Sequence, residues 1–130
     1  MSKSRVISFA KEFNKLRFVA NRTPESTDKQ LAGAYAELAH YGNGAIFIGH
    51  YAGNSEWERH SHGDEFVYAL EGETTLTLLT EKGESQYKLT SGEFLIVPQD
   101  TWHRFETPEG VKIMTATPQP TDHSIQYPLA

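Results

Sequence analysis

An all-β fold, a sandwich or barrel in one domain, is what the sequence predicts, on three observations. Short runs rich in β-branched and aromatic residues recur every 8–12 residues or so, separated by glycine-bearing turn signals. Helical periodicity is nearly absent. The chain has 130 residues, with 38% hydrophobic and 22% charged residues, a size and balance that fit one hydrophobic core.

The runs follow in order. Ala34–Ala39 precedes the turn Tyr41-Gly42-Asn43-Gly44, and Ala45–Tyr51 follows it. Ala52-Gly53-Asn54-Ser55 breaks the chain before Glu56–His62. Glu65–Leu70, a Glu71-Gly72 turn, and Thr74–Thr80 come next, then Ser85–Thr90 after Lys82-Gly83-Glu84. Ser91-Gly92 introduces Glu93–Val97, and Trp102–Thr107 and Val111–Thr117 complete the set. Val6, Ile7, Ala10 and Phe13 suit at most one short helix near the start. Residues 21–30 are polar with Pro24 and read as a loop, and residues 118–130 carry three prolines and read as a tail. The expected organisation is a single domain over 1–130. Residues 34–117 form its core, 1–33 an N-terminal strand or loop region, and 118–130 the tail.

Composition narrows the function. The formal net charge is −5 and basic residues form no run, which argues against nucleic acid and anionic membrane surfaces as partners. The longest apolar run, Ala45-Ile46-Phe47-Ile48, is strand-sized rather than membrane-spanning. No cysteine is present, so thiolate metal sites and disulfides are ruled out. The opening residues lack the apolar stretch of a secretory signal, and a cytoplasmic location is the default expectation.

Chemistry concentrates in Trp57-Glu58-Arg59-His60-Ser61-His62-Gly63-Asp64-Glu65-Phe66-Val67-Tyr68. Side chains at i and i+2 of a strand share a face, so Glu58, His60 and His62 are expected to point one way. Gly63-Asp64 suits a tight hairpin loop, which would set His62 opposite Glu65 and His60 opposite Val67. Two imidazoles and a carboxylate on one face form a metal-ligand set. An exposed, solvated His-Ser-His is the plainer reading of the same residues. The second half of the pattern is Gly92-Glu93-Phe94-Leu95-Ile96-Val97-Pro98, continuing through Asp100 and Trp102 to His103.

Together these segments resemble the cupin superfamily. Its first motif reads roughly G-x5-H-x-H-x3,4-E-x6-G and its second G-x5-P-x-G-x2-H-x3-N. Glu65-x6-Gly72 fits the end of the first, and Gly92-x5-Pro98 with His103 fits the second. The resemblance spans about 53–107 and implies a jelly-roll barrel (a double-stranded β-helix), commonly a homodimer. It also implies that His60, His62, Glu65 and His103 hold one divalent metal ion. The chain departs from the pattern in places. Two residues separate His62 from Glu65, six separate Gly53 from His60, Asp100 replaces a glycine, and Thr107 replaces the asparagine. Aligned without a gap from Glu65, the histidine positions of the motif fall on Arg59 and Ser61.

Nitrogen and oxygen ligands without sulfur suit Fe, Mn, Ni, Co or Zn. Metal is expected to leave on acidification through roughly pH 6, as the imidazoles protonate. Glu58 and His50 are candidate proton-transfer groups, with a rim carboxylate and a structural histidine as the plainer readings. Val67 and Phe105 are expected to line the pocket. Trp57, Trp102 and Arg104 fall on the opposite faces, and His40 and His123 lie away from the site. Two functions fit. One is a metal-dependent enzyme of oxygenase, isomerase or decarboxylase type acting on a small oxygen-rich or anionic molecule. The other is a non-catalytic module that binds or senses a small ligand.

Overall fold

The computed structural model describes residues 3–128 and holds nine strands and two short helices. Helix α1, Phe9–Asn14, is capped by Ser8, whose side chain accepts from the Lys11 amide, and it buries Phe13. Strand β1, Val19–Arg22, and helix α2, Asp28–Leu31, overlap the two ends of the stretch 21–30 expected to be a loop. The second helix exceeds the single one anticipated. Thr27 and Gln30 close a reciprocal capping box around it, a local signal that outweighs Pro24 upstream.

The remaining strands are β2 (Tyr35–Tyr41), β3 (Gly44–Asn54), β4 (Trp57–His60), β5 (Glu65–Thr80), β6 (Gly83–Thr90), β7 (Phe94–Val97), β8 (His103–Pro118) and β9 (Thr121–Ser124). The β2–β3 hairpin turns at Gly42 (φ +57°) as expected, with Tyr41 paired to Gly44. The turn expected at Glu71-Gly72 is instead a bend inside a long strand. The register of β5 against β8 shifts between Ala69 and Glu71 and again between Gly72 and Thr75 without ending either strand. Gly72 (φ +79°) and Gly110 (φ +133°) meet at this bend, where a Cβ on Gly72 would collide with the Gly110 carbonyl oxygen. Only glycine permits the close approach.

Strands β5 and β8, each 16 residues long, form the frame. β8 is flanked by β3, β4 and β5, while β5 also pairs with β6 and β7. β2 lies beyond β3, β1 runs parallel to β3, and β9 pairs with β4. The tail is thus partly an ordered strand. Alternating side chains face two cores. Tyr51, Val67, Ala69, Leu76, Leu78, Val97, Phe105, Val111 and Ile113 fill the interior. Ile48 and Leu38 face outward and are covered by Phe13 of α1. The interior is crowded at Gly49, where an added Cβ would lie 2.6 Å from the Tyr35 ring.

Candidate metal centre

Three strands deliver three donor side chains to one point inside the fold. His60 ends β4, Glu65 begins β5 and His103 begins β8. They are 3%, 4% and 0% exposed. His60 Nε2 stands 3.3 Å from Glu65 Oε2, and His103 Nε2 stands 3.1 Å from Glu65 Oε1. One donor atom from each lies within 4.8 Å of the others.

Each donor is oriented from behind. Thr117 Oγ1 donates to Glu65 Oε2 at 2.7 Å, and Thr121 Oγ1 lies 3.0 Å from His60 Nδ1. His103 Nδ1 lies 2.9 Å from the Thr101 carbonyl oxygen. A carbonyl only accepts, so Nδ1 carries the proton and, in the neutral ring, Nε2 presents a lone pair toward Glu65. His60 Nε2, His103 Nε2 and Glu65 Oε1 are all sealed from solvent without a hydrogen-bond partner. Three converging, unpartnered buried donors are costly in the absence of a cation. Two imidazole nitrogens and a carboxylate, each held by an outer contact, fit a divalent transition metal.

Without an ion, charge settles on the same groups. Burial alone would raise the Glu65 carboxyl, but contacts with His103 and His60 prevail and hold it down to about 2. Burial alone would lower His103, but the Glu65 carboxylate prevails and raises it above the ordinary imidazole range.

His62 stands apart from this cluster. It is exposed, on the connection between β4 and β5, and its Nδ1 lies 3.0 Å from the Gln119 carbonyl oxygen. The expected β4–β5 hairpin is not formed, and Gly63 is absent from the positive-φ glycines. The reason is that β5 has no free edge there. Phe66 is already paired with Ile96 of β7 on one side and Ala116 of β8 on the other. The chain therefore crosses between strands at 61–64, and His60 meets Glu65 across the interior rather than beside it.

The other expected residues separate cleanly. Val67 and Phe105 belong to the interior core, the Phe105 ring 6.1 Å from that of His103. Glu58 shares the His60 side of β4 and is paired directly with His103. His50 does not line the interior. It lies on the outward face of β3 with Ile48, in a groove with Phe18, Glu71 and Lys112, its ring centroid 4.8 Å from that of Phe18. Trp57 and Trp102 lie away from the donors, with Arg104 over the Trp57 ring and Arg59 over the Trp102 ring. His123 pairs with Glu56 at 2.7 Å.

Motif spacing carried a signal for this arrangement. With four residues between the second histidine and the glutamate, the first cupin motif places Glu58 and His60, not His60 and His62, at its histidine positions. The orienting threonines Thr117 and Thr121 had no motif to mark them.

A family model described as a cupin domain matches residues 48–116, and the chain belongs to that family. No curated protein matches the sequence. Among solved structures, the chain is similar to a cupin-2 domain containing protein from Shewanella frigidimarina NCIMB 400. The TM-score is 0.59 and the identity 20%, with 92% of this chain and 95% of that chain covered. It is also similar to hydroquinone 1,2-dioxygenase from Sphingomonas sp. TTNP3 (TM-score 0.55, 17% identity, 71% of this chain and 67% of that one). Oxalate decarboxylase from Lactobacillus farciminis matches at TM-score 0.54 and 11% identity over 61% of this chain. The chain spans about a quarter of that protein's length, the matched share being 26%. At these identities the likeness is one of fold.

Proposed function

We propose that this cupin holds one divalent transition-metal ion (Fe, Mn, Ni, Co or Zn) on His60, Glu65 and His103 and acts on a small oxygen-rich or anionic molecule. The observation that carries the reading is the convergence of three buried donor atoms that, among the described residues, have no partner but one another. An ion bound there would supply Lewis acidity and a template for an oxygen-bearing ligand. The chain's own residues do the rest. Thr117 fixes the Glu65 carboxylate, Thr121 and the Thr101 carbonyl fix the two ring planes, and Val67 and Phe105 keep bulk water from the donors. Glu58, paired with His103 and partly exposed, is placed to exchange a proton between ligand and solvent. His50 has no such access and leaves the list of proton-transfer groups.

This reading takes the protein as an enzyme of oxygenase, isomerase or decarboxylase type. A homodimer in the cytoplasm is part of the same proposal. An apolar strip on β5 and β7, with Phe66 and Phe94 stacked at 4.9 Å and Phe94 58% exposed, suits self-association. The first test is elemental analysis of protein purified without chelator or affinity tag. About one equivalent of transition metal is expected. It should persist in His62→Ala and be lost in His60→Ala. Metal lost from His62→Ala but kept by His60→Ala would overturn the donor set. Turnover is then sought with the metal restored, across diketones, hydroxy acids and aromatic acids. Tight ligand binding without product on every one would make the protein a binding module.

A further inference from the structure

Strand β1 ends at Arg22, and its side chain enters the barrel beside two tyrosines. The guanidinium carbon lies 4.8 Å from the centre of the Tyr51 ring and 5.3 Å from that of Tyr35. A guanidinium carries five in-plane N–H donors; the Tyr51 hydroxyl engages one, and the others suit a planar acceptor. Arg22 forms no ion pair among the described residues, although Glu58 and Glu56 are near enough for their charges to be felt. The Tyr35 hydroxyl beside it is sealed from solvent and has no hydrogen-bond partner. A cation without a contacting anion and an unused buried hydroxyl therefore share one corner of the interior. Both are costly to leave unmet.

That corner and the metal-binding donors face the same interior. Tyr51 packs in the core that contains Phe105, and Phe105 lies against His103. Glu58 is paired with His103 in strand register, and its charge is felt at Arg22, Tyr35 and Tyr51, so it is near both groups. Arg22 and Glu58 are both partly exposed, which puts this end of the interior toward solvent. Formal charges give the sign of the missing partner. With Glu56 set aside as the partner of His123, a divalent ion and Arg22 set against Glu58 and Glu65 leave one positive charge in excess, which a single carboxylate would neutralise.

We propose that Arg22 and the Tyr35 hydroxyl form the anion-binding end of the ligand site and take the carboxylate of a small organic acid whose other oxygen-bearing end reaches toward His60, Glu65 and His103. The inference rests on the metal-site reading for that second end and stands without it for the first. The carboxylate accepts in-plane N–H bonds from the guanidinium and the O–H bond of Tyr35. Burial pushes the Tyr35 phenol well above its ordinary range, so it remains a donor at every physiological pH.

Isothermal titration of malonate, succinate and glutarate, each beside its neutral diamide, tests this on zinc-loaded and metal-free protein. At least one dicarboxylate should bind the zinc-loaded protein with a dissociation constant under about 1 mM, and its diamide should not. Arg22→Met should weaken that binding at least about tenfold, the loss expected for a hydrogen bond to a charged group. Tyr35→Phe removes only an unpartnered hydroxyl, so it should keep the fold and Tm while weakening binding about threefold or more. If Arg22→Met does not fold, Tyr35→Phe decides. Arg22-dependent carboxylate binding to protein that takes up no zinc would uphold the anion end and refute the metal reading. Equal binding by both variants, equal binding of the diamides, or no carboxylate bound by either form would overturn the proposal.

Discussion

Thr121 and Thr117 do no chemistry, yet each holds a donor, and the cost of losing such a contact can be read directly. Thr121→Val removes the hydroxyl against His60 Nδ1 while keeping the side-chain shape. Metal affinity should fall about 10–100-fold, measured by competition with a chromogenic chelator, with folding unchanged by circular dichroism. Protons and metal compete for His103. Its folded pKa is raised, so metal would have to expel a proton below that value, and affinity should keep climbing with pH to above 6.5 rather than level off near 6. The same shifts set the stability of metal-free protein. The raised His103 contributes stability fully below pH 6.5 and loses it as pH rises through its folded pKa. The lowered Glu65 contributes fully above pH 4.5 and loses it as pH falls through about 2. A thermal-melt series should therefore place the metal-free contribution of this pair at its maximum between 4.5 and 6.5. A maximum above pH 8 would contradict the pairing. At this scale the segments that resemble the cupin motifs carry His60, Glu65 and His103, which the structure brings together. His62, singled out beside them, lies apart from that cluster, because strand alternation says which residues share a face but not which strand pairs with which.

Elements were legible where the turn chemistry was local and hidden where pairing was long-range. Gly42 in the β2–β3 turn is marked by Gly-Asn between two apolar runs. Gly72 and Gly110 look like turn glycines too, but they serve a crossing of two strands far apart in sequence. Gly72→Ala forces a side chain into that crossing at positive φ. It should cost at least about 1–3 kcal/mol in urea unfolding. An unchanged midpoint would mean that the bend relaxes. Strand β9 was hidden by the prolines around it, since its register with β4 depends on pairing Thr121 with His60. Because Thr121 comes with that strand, a chain shortened after Pro118 should fold its β5–β8 frame and still fail to retain metal in equilibrium dialysis.

For the whole molecule, a ligand that binds only the folded state adds stability by mass action. At a free-ion concentration about 100 times the dissociation constant, this amounts to roughly 2.7 kcal/mol. Chelation should then lower Tm by about 10 °C at this chain length, and equal melting curves with and without chelator would argue against a tightly held ion. The all-β class was legible at this scale because alternation repeats along the chain, whereas the interior cluster of Arg22, Tyr35 and Tyr51 was not. Those residues come from β1, β2 and β3, and no spacing announces that they meet. The three metal donors have the same dispersed origin, which bears on how the protein matures. Neither β4 nor β5 carries a chelating pair facing the centre, and His103 arrives only after β8 has docked between them. A nascent chain emerging from the ribosome consequently lacks the assembled three-donor centre. On the proposed reading, loading at that centre would be a late event that follows a finished barrel, and metal occupancy measured in a cell would count completed molecules rather than synthesised ones.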